Sequence, residues 1–149
     1  MKLQSSRIMM FVLIGVLFLS ISSVYAETAE EYFQRGLAND NQGNYDQAIS
    51  DYTKAIEIDP NLPGVYFNRG SIYDNQGNLP QAISDYTKAI EIDPNYVSAY
   101  YDRANVYYKL KEYDLAWVDV HKAESLGYKA DKEGLAFLEK LKKASGRDK

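Results

Sequence analysis

Cysteine is absent from the 149 residues. That excludes a disulfide framework, a thiolate metal site and a cysteine nucleophile. A single histidine, His121, leaves no basis for histidine-centred acid–base chemistry or a multi-histidine metal site. An excess of positive charge is lacking too: 17 Lys and Arg stand against 21 Asp and Glu, a net charge of −4. A dedicated nucleic-acid binder shows a clustered basic surface, so nucleic acid is not expected as a partner. No Gly-rich phosphate loop, paired catalytic carboxylates or nucleophile–base pair occurs. The chain is therefore read as a non-enzyme, with no catalytic residue, no cofactor and no metal ligand. Tyrosine, by contrast, is plentiful at 14 residues.

The first 26 residues stand apart from the rest. Lys2 and Arg7 precede an apolar run from Ile8 to Leu19, and the small, more polar stretch Ser20–Ala26 follows. This is the layout of a secretory signal peptide, cleaved after Ala26. The run is short for a bilayer span, which needs about 20 residues. The alternative is an uncleaved anchor over Ile8–Tyr25, weakened by Ser20, Ser22 and Ser23. The expected location is periplasmic or secreted, or membrane-anchored if the segment stays uncleaved. Without residues 1–26 the net charge is −6, made up of −9 over residues 27–128 and +3 over residues 129–149.

The body repeats with a period of 34. Asn41–Asn44 recurs as Asn75–Asn78, and Gln47–Asn61 recurs as Gln81–Asn95. Residues 29–62 and 63–96 agree at 24 of 34 positions, and a diverged third unit spans 97–130. Each unit reads as two amphipathic helices. In the second unit these run over Pro63–Gln76 and Leu79–Ile92, parted by Gly77-Asn78 and ended by Asp93-Pro94-Asn95. Ala82, Ile83, Tyr86, Ala89, Ile90 and Ile92 are the expected buried stripe. Gly36 and Gly70 sit mid-helix at a cost of about 1 kcal/mol each, which suggests close helix contact. With Ala104, they are expected to face Ala48, Ala82 and Ala116 across their hairpins. A seventh helix is expected over 131–144, N-capped by Asp131. Its Leu135, Phe137, Leu138 and Leu141 would cover the last hairpin, leaving 145–149 as a flexible tail.

A helix–turn–helix period of this length resembles the tetratricopeptide repeat family. Its pattern is met by Tyr32, Gly36, Ala48, Tyr52, Ala55 and Pro60, then by Tyr66, Gly70, Tyr73, Ala82, Tyr86, Ala89 and Pro94. The third unit supplies Tyr100, Ala104, Tyr107, Ala116 and Ala123. Asn39 and Val120 depart from aromatic positions, and Tyr128 replaces the terminal proline. The resemblance implies an all-α, right-handed solenoid of three hairpins with a C-terminal capping helix. It also implies a protein-binding module holding a peptide or helix in a concave groove lined by the first helix of each unit. By helical phase that groove comprises Phe33, Phe67 and Tyr101, then Leu37, Ser71 and Asn105, then Asp40, Asp74 and Tyr108, with Asn68 and Asp102 at the rim. An aromatic ladder beside carboxylates suits a partner with apolar and basic side chains. The bland reading is that the aromatics pack against neighbouring hairpins.

The family's best-known ligand mode clamps the C-terminal carboxylate of heat-shock chaperones with Lys, Asn and Arg. Phe33, Leu37, Asn68, Ser98 and Asp102 occupy the corresponding positions, and only Asn68 matches. Elsewhere the chemistry is thin. His121 falls in a solvent-facing phase. Asp40–Asn44 lacks the ligand pattern of a calcium loop. Trp117 reads as packing, and the basic C-terminal end reads as a solvated helix terminus in preference to a lipid contact. The expected function is an exported interaction scaffold; the alternatives are a self-assembling structural repeat and, last, an enzyme or small-ligand binder.

Overall fold

A computed structural model describes residues 27–147, and the signal-peptide reading falls outside them. Those residues form seven helices and no strand: α1 Ala29–Asn41, α2 Tyr45–Ile58, α3 Pro63–Asn75, α4 Leu79–Ile92, α5 Val97–Lys109, α6 Tyr113–Ser125 and α7 Lys132–Ser145. The chain starts its first helix with a capping box. Thr28 Oγ1 accepts from the Glu31 amide at 3.2 Å, while the Glu31 carboxylate accepts from the Thr28 amide at 2.7 Å. Two otherwise orphaned donors are thereby satisfied. α3 and α4 begin with proline in their first turns, where a missing N–H costs little. Asp131 caps α7 by accepting from the Gly134 amide at 2.8 Å.

Helices pair within each unit as α1/α2, α3/α4 and α5/α6. The tight turn inside each pair needs a left-handed residue, supplied by Gly43 and Gly77 in the first two units. Lys111 takes the same conformation in the third, at φ 64°. First helices of successive pairs touch, α1 with α3 and α3 with α5. Each second helix meets the next pair mainly through that pair's first helix. Stacking of this kind puts α1, α3 and α5 on the inner face of a curved solenoid and α2, α4 and α6 outside.

The core is a file of small residues and tyrosines. Ala48, Tyr52 and Ala55 on α2, and Ala82, Tyr86 and Ala89 on α4, are all buried, as are Ala116, Val120 and Ala123 on α6. Of the stripe expected on α4, Ile83, Ile90 and Ile92 are half-buried, and the buried set includes an unforeseen member, Asp85. The small-on-small helix contact also needs correcting. A Cβ added to Gly36 would lie 2.5 Å from the Tyr52 ring, and one added to Gly70 would lie 3.1 Å from the Tyr86 ring. The glycines thus make room for tyrosines rather than for alanines. Where the third unit has Ala104, the facing bulk shrinks to Val120, and the two share one cluster.

α7 lies on the last hairpin through Leu141, which is buried, and through Phe137 and Leu138. Leu135 is 56% exposed, so it does not belong to the covering face as its three-residue spacing suggested. The helix runs one residue beyond the expected end, through Ser145, before Gly146 at φ 71° closes it.

Candidate peptide-binding face

Three arginines explain why the inner helices hold their orientation. Arg35, Arg69 and Arg103 lie 34 apart on α1, α3 and α5, and Asp51, Asp85 and Asp119 lie 34 apart on α2, α4 and α6. Arg69 Nε and Nη2 each donate to Asp85 at 2.8 Å, and Arg103 does the same to Asp119. The remaining donor of each reaches back one unit. Arg69 Nη1 donates to Thr53 at 2.9 Å, and Arg103 Nη1 donates to Thr87 at 2.8 Å. In the first unit Arg35 bonds Asp51, and its Nη1 turns to Glu27. Burial works against the Asp51 charge, but hydrogen bonds from Arg35, Gln47 and Asn39 outweigh it and hold the carboxyl below its ordinary value. These charge-assisted pairs, two-pronged for Arg69 and Arg103 and onto one carboxylate oxygen for Arg35, commit all three inner-helix arginines to structure. Sequence reading missed them, although both 34-residue spacings were visible.

All eleven predicted groove residues are half-buried. Phe33 tilts against Tyr52 at 6.0 Å between ring centroids. Phe67 does so against Tyr86 at 5.7 Å and Tyr96 at 5.1 Å. Tyr101 stacks on Tyr128 at 4.4 Å, the residue that departs from the proline position, and meets Phe137 edge-on. Tyr108 also meets Phe137 edge-on, and leans on Tyr113. The aromatic row therefore packs between elements along one side. Its third-unit members, Tyr101 and Tyr108, share their rings with α7.

The polar row differs unit by unit. Asn68 and Asn105 donate to their own helices, to the Gly64 carbonyl at 2.8 Å and the Tyr101 carbonyl at 2.9 Å. The acidity of the Tyr86 phenol is weakened by burial, then by Asp102 and Asp74. Leu37 stands where Ser71 would be in the first unit, and the buried Tyr52 hydroxyl has no partner. Burial raises the Asp40 carboxyl. Asp74 is gripped by Lys109, whose Nζ donates to both carboxylate oxygens at 2.6 and 2.8 Å. Asp102 is pushed up to about 6, first by burial and then by Asp74, with Lys109 acting the other way.

Outside this face, His121 is exposed and sits beside Glu124 at 3.0 Å, edge-on to Trp117. Trp117 is half-buried under the Arg147 guanidinium. Among the described residues no group of acidic or histidine side chains is arranged to hold a metal ion, and no helix is long and apolar enough to cross a membrane. Two surface clefts of about 460 and 400 Å³, one around Tyr45 and Gln76 and one around Arg69 and Lys88, include none of the eleven groove residues.

A family model described as TPR repeat matches residues 41–77 and 72–111. Residues 41–111 match the tetratricopeptide repeat, and the solenoid has that fold. Solved structures agree over most of the solenoid. The first TPR of Spaghetti (RPAP3), bound to the HSP90 peptide SRMEEVD, is 28% identical with a TM-score of 0.75; the match covers 80% of this chain and 94% of that one. The Arabidopsis OM64 TPR domain is 28% identical at a TM-score of 0.72, covering 78% and 95%. The TPR2B domain of yeast Sti1, in a complex with an Hsp70 peptide, is 28% identical at 0.67, covering 81% and 98%. No curated protein matches the chain. The TPR assignment accounts for the hairpins, for their inward-facing first helices and for the small residues that let α2, α4 and α6 approach.

Proposed function

We propose that this TPR solenoid is an exported interaction module that holds a peptide or helix of a partner protein along α1, α3 and α5. The observation that carries the reading is the inner face itself: its aromatic, polar and acidic side chains stay half-exposed on a stack whose other faces are packed or solvated. Two structural neighbours support it, since their names describe bound chaperone peptides. The ligand here differs in charge. SRMEEVD is acidic, whereas this inner face carries Asp40, Asp74 and Asp102 and spends its arginines on internal pairs. Export rests on residues 1–26, whose composition is that of a secretory signal.

A self-assembling repeat is the competing reading. In-register stacking of a second copy on the last hairpin would reuse the Arg-to-Thr link, but His121 stands at the threonine position and α7 covers that end. Photocrosslinking from position 67 in cells, with fractionation and N-terminal sequencing of the product, tests both parts. A heterologous adduct that weakens in a nearby Phe33→Ala variant, on a product starting at Glu27, is the expected result. A self-adduct alone, or an unprocessed cytosolic product, overturns the proposal.

A further inference from the structure

The outer face of α6 departs from its two sister helices. Counting back 34 residues from Leu115, Val118 and Ser125 gives Gln81, Ser84 and Glu91, and counting back again gives Gln47, Ser50 and Glu57. All nine positions are exposed. Leu115 is 47% and Val118 64% exposed. Unit three has thus exchanged glutamine and serine for leucine and valine at places that stay open to water. Neither residue joins the cluster that ties α6 to α5 and α7. The third exchange removes an acid. Lys88 donates to Glu91 at 3.0 Å, whereas Lys122 has Ser125 three residues on.

Charges bracket the apolar pair. Asp114, Leu115, Val118, His121 and Lys122 share one face, since residues three and four apart are neighbours on a helix. The Asp114 side chain is 87% exposed and that of His121 56%. Asp114 accepts from Arg147 through one oxygen, and a carboxylate has a second to accept with. Lys122 rests its ammonium 6.0 Å from the Tyr100 ring centroid, on a flexible stem. Glu112 and Glu124, each six residues from Val118, fall about 120° round the helix and off this face.

The order of these groups is self-complementary. Where two antiparallel helices cross at Val118, residues equally far before and after it lie opposite each other. Val118 then meets Val118 of the second copy, Leu115 meets His121 and the Lys122 stem, and Asp114 meets Lys122, each contact occurring twice by symmetry. A parallel pairing would oppose like charges instead. The sister helices lack the set: unit one has Asp46 and Lys54 around a polar centre, and unit two has Pro80 where the acid would stand.

We infer that the outer face of α6 is a dimerisation surface whose occupant is a second copy of this chain, packed antiparallel about a two-fold axis at Val118. The contact is closed, unlike end-to-end stacking of units, and it sets the two solenoids back to back with both inner faces free. One helix from each copy buries less than the roughly 1,200 Å² at which stable interfaces begin, so the dimer is weak, with a Kd on the order of 10–100 μM. It does not depend on what the inner face binds.

A chain without cysteine makes the test direct. The whole chain carrying Val118→Cys, given a mild oxidant, should form a disulfide-linked dimer about tenfold faster than one carrying Ser84→Cys, the same position one unit earlier. Adding Lys122→Glu to the Val118→Cys chain keeps the Arg147–Asp114 pair and should slow crosslinking about tenfold, because two attractive pairs become repulsive. Adding Asp114→Lys as well should bring the rate back to within about threefold of its starting value. Equal crosslinking at positions 118 and 84, or a charge-swapped chain no faster than Lys122→Glu alone, overturns the inference; association through residues 1–26 or through the inner face would give that result. Photocrosslinking from position 67 samples the inner face of α3, so failure of either test leaves the other reading standing.

Discussion

Units one and two share 24 of 34 residues, yet they are not held equally. In unit two, Arg69 is 16% exposed, forms a two-pronged pair with Asp85 and hooks the preceding helix through Thr53. In unit one, Arg35 is 39% exposed, and its free donor goes to Glu27. The Tyr52 hydroxyl is buried with no hydrogen-bond partner among the described residues, and Leu37 stands where unit two has Ser71. Even the glycine clearances differ, 2.5 Å to Tyr52 against 3.1 Å to Tyr86. A residue in a repeat takes its energetic weight from the units on either side, so identical letters at an end and in the middle do different things.

The contrast can be broken most sharply at the arginines. Arg69→Met should cost about 3–5 kcal/mol in urea unfolding, because it strands a buried aspartate. Arg35→Met should cost about 1–2 kcal/mol, since Asp51 keeps hydrogen bonds from Asn39 at 2.9 Å and Gln47 at 3.4 Å. Equal losses would show that position in the stack does not matter.

The glycines come next. Gly36→Ala should destabilise by about 2 kcal/mol, as the Tyr52 ring is fully buried and has nowhere to retreat. Gly70→Ala should fall within about 1 kcal/mol of neutral, because its contact is looser and alanine favours the helix. The order of thermal midpoints decides this one. The smallest effect is at a phenol. Tyr52→Phe should be neutral or slightly stabilising, since it removes a buried hydroxyl with no partner among the described residues. A clear loss in Tyr52→Phe would mean that its hydroxyl is satisfied in solution.

Much of this architecture was legible in the sequence, and the reason is the period. Thirty-four residues of recurring pattern fixed the hairpins and placed α4 at Leu79–Ile92 to the residue. The eleven residues expected on the inner face lie on α1, α3 and α5 and are half-buried, a phase that follows from 3.6-residue geometry. The Arg–Asp pairs were not legible, since a separation of 16 residues brings two side chains together only once a hairpin has closed. Tyr52 over Gly36 was missed because small residues at like phases invite a small-on-small reading, and only the helix crossing shows that a ring fills the gap. Leu135 misled for a related reason. Its three-residue spacing ignores the drift of a straight helix, and α7 presents Leu141 and Phe137 instead.

The backward reach of Arg69 to Thr53 and of Arg103 to Thr87 couples each unit to its predecessor in the manner of a one-dimensional chain with nearest-neighbour terms. Units so coupled melt as one cooperative block rather than singly. The series stops at His121, and Phe137 occupies the position where a fourth arginine would fall. α7 is then joined by ring packing, by Leu141 and by the exposed Arg147–Asp114 pair at 2.6 Å. It should be the first segment to open, and amide exchange would then record it as a separate unit of stability.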